Sequence, residues 1–253
     1  MLLAIDVGNT NIVFGVHDGK SWVGNWRIAT VHSKMPDEYG VLFRDMLRDG
    51  GIGKDVLDKA IVSSVVPGLT GKMRDMVSNL IGKAPIIVGP GVKTGLKIRI
   101  GNPSELGTDI VCNCVAAFEK VQDSCIVVDF GTALTFTAIA ANGEIRGVAI
   151  APGLQSAAGA LSHNTAQLPQ VWLEAPEKAI GTNTTASIQS GVIFGYTGLV
   201  EHLIDKMSEE LGGVKAVIGT GGLSGVIAPL TDRFTYREPW LILEGLRLIA
   251  GKN

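Results

Sequence analysis

What this chain lacks narrows the reading before any motif does. Its 253 residues carry 3 cysteines, Cys112, Cys114 and Cys125. That odd number, at spacings that suit no metal site, speaks against a disulfide scaffold and for buried or free thiols in a reducing, cytoplasmic setting. Charged residues make up 18%, the net charge is −2, and no basic cluster appears, which speaks against nucleic acid as a partner. No apolar run reaches the roughly 18 residues of a membrane span, and no basic segment precedes the first apolar run, so neither a membrane partner nor a signal peptide is expected. A Walker loop is missing too. Gly19-Lys20-Ser21 looks like its end, but Phe14 stands where the motif needs its first glycine. What remains is 46% hydrophobic with 33 glycines, an α/β composition with many tight turns and enough chain for one large or two medium domains.

Two stretches organise the rest. Leu2-Leu3-Ala4-Ile5 runs into Asp6-Val7-Gly8-Asn9-Thr10-Asn11, and Ile126-Val127-Val128 runs into Asp129-Phe130-Gly131-Thr132-Ala133. Each is a buried-strand pattern ending in Asp, an apolar residue, Gly and a small polar residue, followed by a second apolar run. One copy alone fits an ordinary turn. Two in register, 123 positions apart, indicate two halves built alike. The glycine permits a tight turn with positive φ. Backbone N–H groups and Asn or Thr side chains of such a turn can surround phosphate oxygens, and a strand-end Asp can hold a hydrated divalent cation beside them.

Residues 1–30 read as three strands, with Asp18-Gly19 turning the second hairpin. Asp37–Leu47 reads as an amphipathic helix, Ala60–Val66 as a buried strand, and Pro67 opens a helix to Leu80 with Leu69, Met73, Met76, Val77 and Leu80 inward. Pro85–Val88 is a short strand, and Gly89–Gly101 reads as an exposed loop. A helix then runs to about Lys120, capped by Ser104 or Thr108. Asp109 lies near its start, where free N–H groups and the helix dipole favour an ionised carboxylate; on spacing alone it is as well an ordinary first-turn acid. In the second half, Asn142-Gly143 closes a hairpin, a helix follows Gly153 to about Ser162, and His163–Pro169 is loop, with His163 a polar loop residue rather than a catalyst. Thr182–Leu211 holds the longest helix, capped by Thr184 or Thr185. Gly191, Gly195 and Gly198 within it call for close approach of another backbone, from this chain or from a symmetric partner. Val214–Gly219 is a buried strand, and Glu238-Pro239 starts a final helix through Ala250.

The pair of turns is similar to the two phosphate motifs of the acetate and sugar kinase, heat-shock chaperone and actin superfamily. Within it the chain resembles the type III pantothenate kinase family end to end, through Asp6–Asn11, Ser63-Ser64-Val65-Val66-Pro67, Lys93–Leu96, Asn102-Pro103, Gly107-Thr108-Asp109, Asp129–Thr132, Ala151-Pro152-Gly153, Leu168-Pro169, Gly181, Asn183-Thr184, Gln189-Ser190-Gly191 and Thr220–Leu223. The resemblance implies two α/β domains of ribonuclease H-like, actin-like fold, 1–117 and 118–253, each a mixed sheet flanked by helices, with the nucleotide between them. It implies Mg-ATP and pantothenate as substrates, K⁺ or NH₄⁺ as a monovalent cation, a homodimer, and catalysis of the first step of coenzyme A synthesis. Asp109 would take the proton from the acceptor hydroxyl. Asp6 would hold Mg²⁺ through water. Val7, Gly8, Asn9, Thr10, Asn11, Ile12, Val13 and Thr132 fall at ATP positions, Gly221 and Gly222 at the adenosine position, and Asp129 at the monovalent-cation position. Ile100, Gly107, Thr108, Ile110 and Thr184 fall at acceptor positions. Ile100 replaces the family's Tyr, Ile110 its Arg, and Gln167 in Ala166–Pro169 its Lys. Both phosphate motifs are intact while the acceptor side has lost polarity, so the alternatives are a kinase of a related acceptor or a nucleotide-binding accessory protein.

Overall fold

In the computed structural model, which describes residues 1–165 and 167–253, the first apolar run forms strand β1 (Leu2–Val7), answered by β2 (Asn11–His17) and β3 (Trp22–Ala29) in an antiparallel meander. Strands β1 and β2 are buried nearly throughout, whereas β3 alternates residue by residue, as an edge strand with one wet face must. Helix α1 (Pro36–Asp49) opens with Pro at its first turn, and the Glu38 carboxylate accepts the Met35 backbone N–H at 2.8 Å, one half of a capping box. Strand β4 (Lys59–Ser64) lies parallel to β1, α2 (Pro67–Ile81) buries the five expected apolar residues, and β5 (Ile86–Ile87) completes a sheet of order β3-β2-β1-β4-β5.

The segment expected as loop contains strand β6 (Lys97–Ile98), which pairs with a strand of the second half. After it comes α3 (Thr108–Val121). Thr108 is its first residue rather than its cap, and Ser104 lies in a short 3₁₀ turn capped by Asn102. The second half then repeats the first. Strands β7 (Cys125–Phe130), β8 (Ala133–Ile139) and β9 (Glu144–Pro152) form the meander, α4 (Leu154–Asn164) and α5 (Thr184–Leu211) follow, and β10 (Ala216–Thr220) returns parallel to β7. After the single turn α6 (Ser224–Ile227), β11 (Tyr236–Arg237) pairs parallel to β10, giving the order β11-β10-β7-β8-β9-β6. Without β6, this is the order and strand direction of the first sheet. His163 sits in the last turn of α4, and the cap of α5 is Asn183, whose Oδ1 accepts the Ala186 N–H at 2.9 Å. Two polar neighbours of equal capping ability concealed it.

The last helix, α7 (Leu241–Gly251), starts later than Glu238 and packs on β1, β2 and β4. Its Leu241, Leu243, Leu246 and Ile249 are buried, a gain of about 1.5–3 kcal/mol each. The chain therefore forms two compact units, residues 1–95, 102–116 and 241–253, and residues 96–101 and 117–240, where the sequence suggested one cut at 117/118. The first has its core around Phe14, Phe43, Tyr39 and Met73, and the second around Phe130, Phe136, Leu134 and Ile193. Among the described residues no helix is long and apolar enough to cross a membrane.

Candidate active site

In the first unit, register brings the acidic residues together. Asp6 is opposite Ser63 across the parallel β1–β4 pair. Ser63, fully buried, lies 2.9 Å from Thr108 Oγ1, so the two hydroxyls share a hydrogen bond. Four residues further along α3, the Cys112 thiol also hydrogen-bonds Ser63. Burial, then the charges of Asp6 and Asp109, push that thiol well above its ordinary range. Both carboxylates thus lie near enough to act on one thiol of the first unit, and that thiol is inert. Asp109 occupies the space a side chain at Gly107 would need, and its Oδ1 accepts the Ile110 N–H at 2.8 Å.

Burial raises the pKa of Asp109, against its backbone hydrogen bonds, which lower it. The helix start was expected to set the balance toward a readily ionised acid. Desolvation outweighs it here, and the result suits a base, whose strength rises as its pKa approaches the working pH.

The turn after β1 is closed by the Gly8 N–H to Asn11 carbonyl bond, 3.0 Å, and is steadied by Thr30, whose hydroxyl donates to the Gly8 carbonyl at 2.7 Å. Asn9, Thr10 and Asn11 are exposed, while the side chains of Val7, Ile12 and Val13 are buried. Within residues 7–13, Asn9, Thr10 and Asn11 are thus the residues whose side chains can reach a ligand. Among the described residues no group of three or more His, Cys, Asp or Glu could hold a metal. Hydrated Mg²⁺ needs only one or two carboxylates beside phosphate oxygens, so Asp6, ending a strand before this turn, fits that ion.

The second unit builds its turn differently. Gly8 and Gly131 were both expected to use positive φ, and neither does. Positive φ is found instead at Gly221, +87°, in the loop after β10. A side chain there would run into the Asp129 carboxylate and stand 2.7 Å from the Phe130 nitrogen. Gly153, ahead of α4, leaves similar room for the turn, since a Cβ would stand 2.6 Å from the Gly131 carbonyl. Its N–H and the Ser156 hydroxyl both donate to the Thr132 carbonyl, at 3.2 and 3.1 Å. Asp129, Thr132 and Gly221 therefore belong to one arrangement, with Gly222 the next loop residue. In the sequence, Gly153 and Ser63 count only among the residues that carry the family resemblance, with no site role; the further signal for Ser63 is a hydroxyl inside a buried strand.

The other expected acceptor residues are divided between the two units. Thr184 is the exposed first residue of α5, and Ile100 follows the Arg99–Glu144 ion pair at 3.3 Å in the second unit. Ile110 is half-buried in the first turn of α3. Gln167 is exposed, while Ala166 lies outside the described residues.

Comparison with known proteins gives this geometry a context. The type III pantothenate kinase family model matches residues 2–206. A type III pantothenate kinase from Geobacter sulfurreducens is 44% identical over 253 residues, covering 100% of this chain and 99% of the relative. One from Moorella thermoacetica is 45% identical, covering 100% of each. Two solved structures share the fold: a protein described as a Baf family transcriptional activator from Campylobacter jejuni, at 22% identity, TM-score 0.62 and coverage of 99% and 98%, and one described as a 2-dehydro-3-deoxygalactonokinase from Sinorhizobium meliloti, at 12%, 0.61, 99% and 97%.

Proposed function

The chain belongs to the type III pantothenate kinase family, and we propose that it transfers the γ-phosphoryl group of ATP to the primary hydroxyl of pantothenate, the first step of coenzyme A synthesis. The observation that carries this reading is identity of about 45% with pantothenate kinases along the whole chain, with the pieces such a transfer requires intact. In the reaction an acceptor oxygen–phosphorus bond forms, the bond to ADP breaks, and the hydroxyl proton leaves. Asp109, raised in pKa by burial, would take that proton. Gly8–Asn11 and Thr132 would contact the phosphates, and Gly221 and Gly222 the adenosine. Phosphoryl transfer asks mostly for positioning and charge neutralisation. Mg²⁺ held by Asp6 through water would supply part of the neutralisation.

Finer parts of the reading have their own supports. Asp129, half-buried against Gly221, would help bind K⁺ or NH₄⁺. Gly107, Thr108, Ile110, Ile100 and Thr184 would border the acceptor. Nothing among the described residues lies within 4 Å of a side chain placed at Gly191, Gly195 or Gly198. No close approach among the described residues accounts for these glycines, and a homodimer packed along α5 would supply one. Three buried cysteines, one with its thiol raised to about 12 by burial, suit a cytoplasmic enzyme. The test is ATP consumption with and without pantothenate, in K⁺ and in Na⁺ buffer. Pantothenate-dependent ADP release, faster in K⁺, is expected. ADP release indifferent to pantothenate would overturn the acceptor, and equal rates in Na⁺ the cation.

A further inference from the structure

Ser63 has no part in the reaction as set out above, yet it stands where the two acidic elements of the first unit meet. It is fully buried in β4, opposite Asp6 in the next strand. Its hydroxyl reaches Thr108, the first residue of α3, at 2.9 Å, and Cys112 one turn later on the same face. Residues four apart on a helix lie one above the other, so this single hydroxyl holds the first two turns of α3. Asp109 lies between the two contacts in sequence, its carboxylate over Gly107 and accepting the Ile110 N–H at 2.8 Å. A buried hydroxyl without partners is costly, and the two side chains of α3 answer that need.

We propose that Ser63 is a positioning residue for phosphoryl transfer, whose hydroxyl ties the start of α3 to β4 and so sets the Asp109 carboxylate beside the strand that carries Asp6. The proposal rests on Asp109 being the base. Ser63 touches neither substrate nor the reacting atoms in this role; it acts through Thr108. A displacement near 1 Å at a reacting group can cost about 10²-fold in rate, and loss of one neutral hydrogen bond about fivefold to tenfold.

The experiment measures kcat and both KM values for the full chain and four variants. Asp109→Asn separates the two ideas: if it remains active within a few-fold, the assignment of the base fails, whatever Ser63 does. With Asp109→Asn inactive, Ser63→Ala should lower kcat about tenfold and leave the KM for ATP within about twofold. Because a small cavity could also loosen the fold, Ser63→Thr and Ser63→Val form the decisive pair. They have the same shape and differ only in the hydroxyl, so any overpacking is common to both. Ser63→Thr should keep a kcat at least about fivefold above that of Ser63→Val. Equal kcat values for Thr and Val, or a Ser63→Ala variant as fast as the parent, overturn the proposal.

Discussion

The two halves of this molecule share a strand order and part company at their turns. In the first unit the turn after Asp6 is plain: one main-chain hydrogen bond and a hydroxyl from Thr30 hold it, and the neighbouring helix start contributes a second carboxylate. In the second unit the turn after Asp129 is hemmed in by two glycine-bearing loops, and one of those glycines, Gly221, lies against the acid. A duplicated frame has thus been given unequal tasks. The first half sets two acids about one buried thiol. The second half is built for tight main-chain packing around a single carboxylate. Equal topology says nothing about equal chemistry.

The largest expected effect comes from the acid found only in the first half. Asp109→Asn should lower kcat at least about 10²-fold, the range of general-base catalysis. It should not lower the melting temperature. Burial sets the folded pKa above the unfolded one, so the stability linked to this group is complete below the unfolded pKa and is lost as pH rises through the folded one. At neutral pH the ionised side chain burdens the fold, and Asn relieves it while keeping an oxygen for the Ile110 N–H. For the same reason, activity should fall on the acid side at a pH above the ordinary carboxylate range. A variant that melts several degrees lower would show that Asp109 supports the fold of the first half instead of its chemistry.

A smaller effect tests whether α3 serves the acceptor alone. Pantothenate carries a carboxylate that an arginine can grip with two parallel hydrogen bonds. Arg99 is already paired with Glu144, and Ile110 offers no charge. Ile110→Arg should lower the KM for pantothenate roughly ten- to hundred-fold, from a charged hydrogen bond of about 1.5–3 kcal/mol, with the KM for ATP unmoved. If the ATP value shifts equally, the division of labour breaks down.

The smallest effect compares the turns themselves. Gly221→Ala forces a side chain into the left-handed region and toward Phe130, a cost of about 1–2 kcal/mol or a few degrees in Tm before any clash. Gly8→Ala has ordinary φ and meets only the Asn11 carbonyl, at 3.0 Å. Thermal unfolding of both should rank Gly221→Ala clearly lower; equal melting points would erase the distinction drawn here.

The sequence disclosed strands and helices wherever one face is buried, because periodicity records burial: β1 to β4, α1 and α2 stand within a few residues of their expected places. It hid β6, a two-residue strand that exists only because the edge of β9 is there to receive it. The candidate site was half legible. Asp6, Asp109 and Asp129 declare themselves by their places after strands or at a helix start. The φ values of the glycines, the burial that governs Asp109 and the reach of Ser63 depend on neighbours distant in the chain, which no local pattern encodes. The same holds for α7, whose apolar spacing announces a helix without saying which sheet it covers.

That last placement has a consequence for the order in which the protein is made. Residues 241–253 close the first unit, so β1, β2 and β4 leave the ribosome well before the helix that covers them. Translation proceeds at about 5–20 residues per second, which leaves β1, β2 and β4 without the apolar cover of α7 for roughly ten seconds or more. The unit made of residues 96–101 and 117–240 has all its parts before then. The usual vectorial sequence is inverted: the unit of residues 96–101 and 117–240 can mature first, and the sheet of β1 to β5 stays open until α7 arrives, an order that protease protection of stalled nascent chains reads directly.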